Sequence, residues 1–194
     1  MTEIRDAAAL ILCRDEGNDA KVLMGKRSAQ AVFMPNMYVF PGGRVDPEDA
    51  SATSTNGLSP AALRALGQES ALSPATLLHT ARREVQEETG LTVGEAPKIT
   101  FLLRAITPKG LARRFDTRFF LTSATSITSD LDDFSGADGE LSDIRWINLT
   151  ETSAFKMPSV TRFVLNEVTA AINGQTRPGV PFLKGGVEET VSYL

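Results

Sequence analysis

The chain has 194 residues, a formal net charge of −4 and a single cysteine, Cys13. Its hydrophobic fraction of 42% and charged fraction of 23% are ordinary for a globular protein, and the longest apolar run, Ala7–Cys13, is too short to span a bilayer. One cysteine excludes an internal disulfide, the negative charge gives no support for general nucleic-acid binding, and no signal-peptide order precedes the apolar run. We therefore expect a single domain over residues 1–194, located in the cytoplasm, with Cys13 buried in a strand.

The first part of the chain predicts strands. Ala7–Arg14 and Lys21–Arg27 are separated by the turn-like residues Glu16–Asp19 and should pair as a hairpin. A short strand, Tyr38–Phe40, leads into Pro41-Gly42-Gly43, where glycine lets the backbone fold tightly and present carbonyl groups toward a site.

Two helix start signals follow. Ser59-Pro60 predicts a cap and first turn for a short helix that Gly67 ends. Ser73-Pro74 repeats the signal, and the helix that it begins should run to about Thr89 and end at Gly90.

The last part of the chain predicts more strands and another helix. Strands are expected at Lys98–Ile106, Arg114–Thr122 and Ile144–Leu149, with Trp146 packed inside, and a helix at Ser159–Ile172. An extended tail should begin at about residue 175. The order of elements predicts an α/β fold with a mixed sheet.

Three carboxylates share one face of the second helix. Glu84, Glu87 and Glu88 are related as i, i+3 and i+4 and fall within an arc of roughly 100°. At about 5 Å and an effective dielectric near 20, each pair repels by roughly 3 kcal/mol, a cost that a divalent cation removes. Oxygen ligands suit Mg²⁺ or Mn²⁺ rather than zinc. The alternative is a solvated acidic turn, although the only nearby cation, Arg83, is placed to hold Glu87.

The rest of this helix divides into two further faces. Leu78, Ala81 and Val85 form an apolar stripe that should pack against the sheet. His79, the only histidine, should lie on the surface opposite the carboxylates, and we do not expect it to be a ligand.

Arg83–Leu91 resembles the second half of the signature of Nudix hydrolases, which ends Arg-Glu-apolar-x-Glu-Glu-x-Gly-apolar. Phe40–Asp49 looks like the loop that opens the same signature, with Gly43 at its first glycine and Asp49 at its first acid. This chain has Asp where the signature has Glu, and the gap from Asp49 to Arg83 is much longer than the usual seven residues. The segment of about 50–72 is therefore interpreted as an insertion, expected to form a partly mobile arm.

The resemblance implies an α/β/α sandwich and hydrolysis of a nucleoside diphosphate linked to another group. It also implies that Mg²⁺ or Mn²⁺ is held by the Gly43 carbonyl and by Glu84, Glu87 and Glu88, with Arg83 positioning one of these carboxylates. A homodimer is suggested only by the resemblance. No membrane or nucleic-acid partner is expected.

By the same resemblance, one of the three glutamates could also serve as the catalytic base, and Glu140 is a further candidate. The family often takes this base, or a further metal ligand, from a loop before the final strand, and Glu140 lies in such a loop. Several aspartates crowd the same region, so a solvated loop acid is an equal alternative.

Substrate-binding candidates are Arg113, Arg114 and Arg118, which flank Phe115 and Phe119, and we expect one of these arginines in the site. Alternation puts Arg114 and Arg118 on one face and Phe115 and Phe119 on the other. An arginine here could grip a phosphate while Phe115 stacks on a base, or these residues could solvate a strand edge.

Residues 27–43 are similar to the signature of coenzyme A diphosphatases. Val32 replaces its second arginine and Asn36 its glycine, while the long insertion and Phe33-Met34-Pro35 look like the branch that includes peroxisomal coenzyme A enzymes. Coenzyme A or acyl-coenzyme A therefore ranks first among substrates. The final Ser192-Tyr193-Leu194 lacks the basic middle residue of a peroxisomal address.

Two alternatives stay open. A hydrolase of ADP-ribose, NADH or a dinucleoside polyphosphate would keep every metal residue and change only the pocket. A non-catalytic Nudix module could sense a nucleotide, but such modules typically lose signature carboxylates, and this chain retains all three glutamates.

Overall fold

A mixed β-sheet organises the chain, and every helix packs against it. The computed structural model describes residues 3–15, 17–94, 98–175, 177–185 and 191–194. Within these ranges the strands are β1 Ile4–Arg14, β2 Lys21–Arg27, β3 Tyr38–Val39, β4 Gly42–Arg44, β5 Ile99–Ile106, β6 Arg114–Ser123, β7 Leu141–Asn148, β8 Pro181–Leu183 and β9 Ser192–Tyr193. The α-helices are α1 Pro60–Gly67, α2 Pro74–Thr89 and α3 Ser159–Ile172.

The strands form one sheet in the order β3-β2-β1-β6-β5-β8-β9, with β4 also paired to β1 and β7 to β2. β1 is parallel to β6 and β5 is parallel to β8, whereas the other pairs are antiparallel. The predicted mixed sheet is confirmed. So is the hairpin of β1 and β2, in which Cys13 faces Val22; residue 16 of the predicted turn lies outside the described ranges.

Alternation along β1 divides the core between the two faces of the sheet. Ala9, Ile11 and Cys13 pack with apolar residues of α3 on one face. The intervening residues of β1 pack with α1 and α2 on the other face. The layers are therefore helix, sheet and helix, as predicted.

Local signals fix both ends of α2. The Ser73 hydroxyl accepts a hydrogen bond from the Thr76 amide, and Pro74 occupies the first helical position. At the other end Gly90 adopts a left-handed φ of 78°, a conformation that glycine adopts without steric cost. The bounds of α2 agree with those predicted, and Leu78, Ala81 and Val85 are buried.

The segment of 50–72 is anchored, contrary to the expectation of a partly mobile arm. Ala62, Ala65 and Leu66 of α1 are buried against the sheet and α2. The Arg104 guanidinium donates hydrogen bonds of 2.9 Å to the carbonyls of Gln68 and Glu69.

Other elements differ from the predictions at their edges. β1 begins three residues earlier than predicted, and β7 begins at Leu141 rather than Ile144. The tail predicted as extended from residue 175 contains two short strands, of which β8 pairs with β5 and β9 pairs with β8. Trp146 is only half-buried, with its indole N–H donating to the Leu131 carbonyl.

Cys13 is buried in β1 as expected, and burial raises the pKa of its thiol to about 11. Such a thiol is a poor nucleophile at neutral pH. Among the described residues, no helix is both long enough and apolar enough to cross a membrane.

Candidate active site

A cavity of about 890 Å³ joins the carboxylates of α2 to the sheet face that α3 covers. One side of it is acidic and includes Glu84, Glu87 and Glu140. Its floor includes residues of two parallel strands, namely Ala7 and Ala9 in β1 and Phe115, Thr117 and Phe119 in β6. The short side chains of Ala7 and Thr117 leave room for a ligand to lie close to the sheet.

Asp49 and Arg83 form the core of the acidic side. Asp49 is only 1% exposed, and both its oxygens accept hydrogen bonds of 3.0 Å from the Arg83 guanidinium. Thr80 and the Asp46 amide donate to the same carboxylate. Burial alone would raise the pKa of Asp49, but the hydrogen bonds from Arg83, Asp46 and Thr80 lower it to about 2. The shorter acid at the first acidic position of the signature is thus a charged partner of Arg83.

Arg83 also reaches two of the predicted metal ligands. Its Nη1 lies 2.9 Å from Glu84 Oε1 and 2.7 Å from Glu87 Oε2, and its Nη2 donates to the Arg44 carbonyl. The hydrogen bond with Asp49 raises the pKa of Arg83, so the guanidinium stays charged. The predicted positioning of a glutamate by Arg83 is therefore visible in its contacts with Glu84 and Glu87.

Glu84 and Glu88 are buried carboxylates. Burial raises the pKa of Glu84 to about 7; Arg83 opposes this rise, while Glu87 and Glu140 add to it. Burial raises the pKa of Glu88 to about 8, although the Gly42 amide donates a 2.8 Å hydrogen bond to it. Ionising both groups at neutral pH is costly unless a cation is near them.

Gly43 lies directly against Glu84. A Cβ built at Gly43 would be only 2.5 Å from Glu84 Oε1, so only glycine allows this approach of backbone and carboxylate. A hard divalent cation fits this set of oxygen donors. In the described parts of the chain no three acidic, histidine or cysteine side chains already converge on one point, because Arg83 holds Glu84 and Glu87 while Gly42 holds Glu88.

The loop before β7 brings Glu140 to the acidic side. The Asp138 amide donates a hydrogen bond of 2.8 Å to the Glu87 carbonyl, and the Glu140 amide donates one to the Asp138 side chain. Glu140 lines the cavity, and its charge contributes to the raised pKa values of Glu84 and Glu88. From this position Glu140 could act as a base, and that role stays a prediction.

One of the three candidate arginines, Arg113, lines the cavity, whereas the two in β6 do not. Arg118 is buried on the other face of the sheet, where it pairs with Asp6 and Asp116, and Arg114 donates to the Thr107 carbonyl. The alternation of this strand was predicted correctly, but its aromatic face is the one that lines the cavity. Phe115 lines the cavity, and its role in substrate binding stays a prediction.

Sequence reasoning missed two further residues of the cavity. Phe33 lies edge to face with Phe115, with ring centroids 5.6 Å apart, and Arg27 Nε donates to the Phe33 carbonyl. The available signal was the resemblance of residues 27–43 to the coenzyme A diphosphatase signature, because this segment contains both residues. In the structure, Met34 and Asn36 of the same loop both adopt a positive φ. Non-glycine residues in that conformation are uncommon and cluster at functional sites.

Asn36 replaces a glycine of the coenzyme A diphosphatase signature, and its φ of 58° explains why the exchange is tolerated. Asparagine is among the non-glycine residues that best accept the left-handed region. His79 is exposed, as predicted, and its Nε2 lies 3.7 Å from Asp49 Oδ1.

Comparison with known proteins agrees with the geometry. A family model described as the NUDIX domain matches residues 3–167. The chain belongs to the Nudix family. Members of this family generally use divalent metal ions, which agrees with the oxygen donors of Gly43 and the three glutamates.

Among related Nudix proteins is one from Caenorhabditis elegans whose name includes the words nudix hydrolase 7, which is 31% identical over 163 residues. The match covers 76% of this chain and 52% of that protein, so the chain spans about half the length of this relative. A Nudix hydrolase from Alicyclobacillus acidocaldarius has a similar structure, with a TM-score of 0.65, 26% identity and coverage of 91% of this chain and 98% of that one.

The Nudix domain of Shewanella oneidensis NrtR, solved in complex with ADP ribose, has a TM-score of 0.55. It is 15% identical and covers 89% of this chain and 90% of that domain. At this identity the likeness concerns the fold alone.

Proposed function

We propose that this Nudix chain is a metal-dependent hydrolase that cleaves the diphosphate bond of a nucleoside diphosphate derivative. The observation that carries the proposal is the pair of buried carboxylates, Glu84 and Glu88, whose pKa values are raised to about 7 and 8 beside Glu87. Such an arrangement destabilises the ionised protein unless a cation neutralises it. A cavity large enough for a nucleotide is lined by Glu84 and Glu87.

Each residue of the acidic side has a role in this proposal. The Gly43 carbonyl and the carboxylates of Glu84, Glu87 and Glu88 would hold Mg²⁺ or Mn²⁺. When bound, the cation neutralises phosphate charge and activates a water molecule. Arg83 fixes the orientation of Glu84 and Glu87 through its Nη1.

Glu140 is our candidate for the general base. Its carboxylate would accept a proton from the attacking water as an oxygen–phosphorus bond forms and the bridging oxygen leaves the same phosphorus. The loop that holds it docks on α2 through the Asp138 amide and the Glu87 carbonyl. The alternative is that Glu140 is a solvated loop acid. Glu140→Gln should lower turnover if Glu140 is the base and leave turnover unchanged if it is a solvated acid.

Coenzyme A or acyl-coenzyme A is our first candidate substrate. Phe33 and Phe115 offer partly exposed aromatic rings for a base, and Arg27 and Arg113 also line the cavity. Asn36 keeps the backbone conformation that a glycine would adopt there, which removes one of the two departures from the coenzyme A diphosphatase signature. Val32 is the other departure, and its side chain is 71% exposed.

ADP-ribose, NADH and dinucleoside polyphosphates are the alternative substrates, since they require the same metal residues. A nucleotide-sensing module without catalysis is the alternative from another class of function. We further propose that residues 1–194 fold as one domain in the cytoplasm, with a homodimer and the absence of a nucleic-acid partner as predictions from the sequence.

A product assay tests this function. The protein is incubated with Mg²⁺ or Mn²⁺ and separately with coenzyme A, acetyl-coenzyme A, ADP-ribose, NADH and diadenosine polyphosphates, and the products are identified by mass. Release of 3′,5′-ADP and a phosphopantetheine is the expected result. Cleavage of another compound would support the hydrolase reaction and contradict coenzyme A as the substrate. No metal-dependent cleavage of any compound would contradict the hydrolase proposal for this panel.

A further inference from the structure

The first turn of α3 lines the same cavity as the carboxylates of α2. Pro158, Ser159, Val160 and Thr161 all contribute to its wall. Because α2 and α3 cover opposite faces of the sheet, this turn forms a part of the cavity separate from the acidic side.

Thr161 is a buried polar residue whose hydroxyl lacks a protein partner. The residue is only 4% exposed, and among the described residues nothing forms a hydrogen bond with its side chain. The hydroxyl oxygen keeps some accessible surface, and Thr161 lines the cavity, so a ligand can reach this hydroxyl. Buried hydroxyl groups nearly always have a partner, so this one points to a group bound in the cavity.

Backbone amides add donors beside that hydroxyl. The first amide that bonds back within α3 belongs to Arg162, which donates to the Pro158 carbonyl at 3.2 Å. The amides of Ser159, Val160 and Thr161 therefore have no acceptor within the helix. Pro158 provides no capping side chain, and the first turn contains no acidic residue.

These donors suit an anion. A 14-residue helix places partial positive charge at its first turn, where a phosphate can accept from backbone amides and hydroxyl groups together. We propose that the first turn of α3 is a subsite for a second phosphate, one that the substrate carries outside its diphosphate. This inference rests on the proposed function, since it assigns the diphosphate itself to the acidic side.

The floor of the cavity lets one ligand reach both places. Ala7 of β1 lies beside Thr117 of β6, and Thr117 lies beside Ala105 of β5, which makes a row of small side chains across three strands. All three residues line the cavity. A nucleoside lying in this trough can place its diphosphate toward α2 and a phosphate on its ribose toward α3.

The subsite predicts a preference between substrates that differ by one phosphate. Coenzyme A should be favoured over dephospho-coenzyme A, and NADPH over NADH. The preference should appear in KM or Kd rather than in kcat, because the second phosphate is remote from the bond that breaks.

Calorimetric titration without divalent metal tests the subsite apart from catalysis. The ligands are adenosine 3′,5′-bisphosphate and adenosine 5′-monophosphate, which differ by one phosphate. We expect about tenfold tighter binding of the bisphosphate by the natural chain. Thr161→Val should reduce this gain to threefold or less, whereas Thr169→Val, on the same helix with its hydroxyl bound to the Leu165 carbonyl, should keep it.

Ser159→Asp provides a second variant whose folding is secure. Aspartate is favourable in the first turn of a helix, but its charge would repel a bound phosphate, so the gain should vanish without loss of stability. Equal affinity of the natural chain for the two nucleotides, or a gain unchanged in both Thr161→Val and Ser159→Asp, would overturn the subsite. Binding of inorganic phosphate at this turn without any gain for the bisphosphate would overturn its assignment to the substrate.

The outcomes separate this inference from the proposed function. If the bisphosphate binds more tightly in a way that depends on Thr161, but no nucleotide is cleaved in the presence of metal, the subsite is supported and the hydrolase is contradicted. Cleavage without the gain would keep the hydrolase and contradict the subsite.

Discussion

Arg83 divides its guanidinium between carboxylates of two different elements. Its Nε and Nη2 pair with Asp49, while Nη1 bridges Glu84 and Glu87. A lysine could not reproduce this fork, because its ammonium is a single point charge. Arg83 therefore joins the loop after β4 to α2 and offsets the repulsion between the carboxylates of Glu84 and Glu87.

Glu87→Gln tests the metal assignment at a single atom. Turnover should fall by more than about 100-fold, since even the partners of metal ligands commonly account for 10- to 100-fold. The free energy of unfolding should change by only about 0.5 kcal/mol, because Glu87 is exposed. Steady-state rates with Mg²⁺ and urea unfolding measure the two effects.

Glu151→Gln is the matched control for that variant, because Glu151 is an exposed glutamate that does not line the cavity. It should keep full turnover. Unchanged turnover in Glu87→Gln would contradict the assignment of this glutamate to the metal.

Gly43→Ala tests the close approach of the loop to α2. The new methyl group would lie 2.5 Å from Glu84 Oε1, so the loop or the carboxylate must move. We expect a loss of about 1–3 kcal/mol in the free energy of unfolding and weaker Mn²⁺ binding by titration calorimetry.

Gly67→Ala is its control, since a Cβ there meets nothing within 4 Å and Gly67 is helical. That variant should be neutral or slightly more stable. A Gly43→Ala protein with the stability and Mn²⁺ affinity of the natural chain would show that the contact does not constrain the site.

At the scale of elements, Arg104 ties three parts of the chain together. It pairs with Asp116 of β6 at 2.6 and 2.9 Å, donates to the carbonyls of Gln68 and Glu69 after α1, and lies 4.4 Å from the ring centre of Phe182 in β8. The segment of 50–72 and the strand β8 are thus fixed to the same side chain.

Arg104→Lys should therefore loosen more than one contact. Lysine cannot form the paired hydrogen bonds to Asp116, and we expect a loss of about 2 kcal/mol or more in urea unfolding. Amide exchange should accelerate in residues 60–72. Arg64→Lys, at an exposed position of α1, should change stability by only about 0.5 kcal/mol, and equal stability of the two variants would contradict this account.

Elements defined by local signals were predictable, whereas those made by distant pairing were not. α2 has the predicted bounds because its capping serine, terminal glycine and apolar period are all local in sequence, and α3 has them because of its apolar period and the Asn173-Gly174 pair that follows it. β4, at Gly42–Arg44, has no strand-forming pattern and exists through its pairing with β1. β8 was likewise missed as a strand because its partner, β5, is distant in the sequence.

The site shows the same division. The carboxylates of α2 and Arg83 follow from helical spacing, and they lie together as expected. Alternation could not show which face of the sheet Arg118 occupies, because that depends on its partners, Asp6 in the neighbouring strand β1 and Asp116 in its own strand. Thr161 carried no sequence signal, since only the fold brings the first turn of α3 to the cavity.

For the whole molecule, the raised and lowered carboxylate pKa values predict an unusual dependence of stability on pH. Glu84 and Glu88 hold their protons more tightly when folded, so without metal their contribution to stability falls as pH rises from about 4.5 to about 8. Asp49 acts in the opposite sense, and its contribution, present above 3.8, is lost as pH falls through about 2. Metal-free stability should therefore be greatest near pH 4 to 5.

Urea unfolding in EDTA across pH 3 to 8 checks this profile. Saturating Mg²⁺ should reduce or reverse the fall above pH 5, because the cation binds the ionised carboxylates. The double variant Glu84→Gln with Glu88→Gln should have a flatter profile in EDTA. Metal-free stability that rises steadily from pH 5 to 8 would contradict the raised pKa values.

The parallel pairing of β1 with β6 sets the order in which the sheet can assemble. Partners such as Ile4 and Arg114 are 110 positions apart, so β1 acquires this neighbour only after most of the chain has been made. At ribosomal rates of about 5–20 residues per second, the apolar strand waits roughly 5 to 20 seconds for β6. During that time an edge rich in alanine and leucine is available for pairing with other chains. Folding of this protein should therefore be slow, and its yield should fall as chain concentration rises.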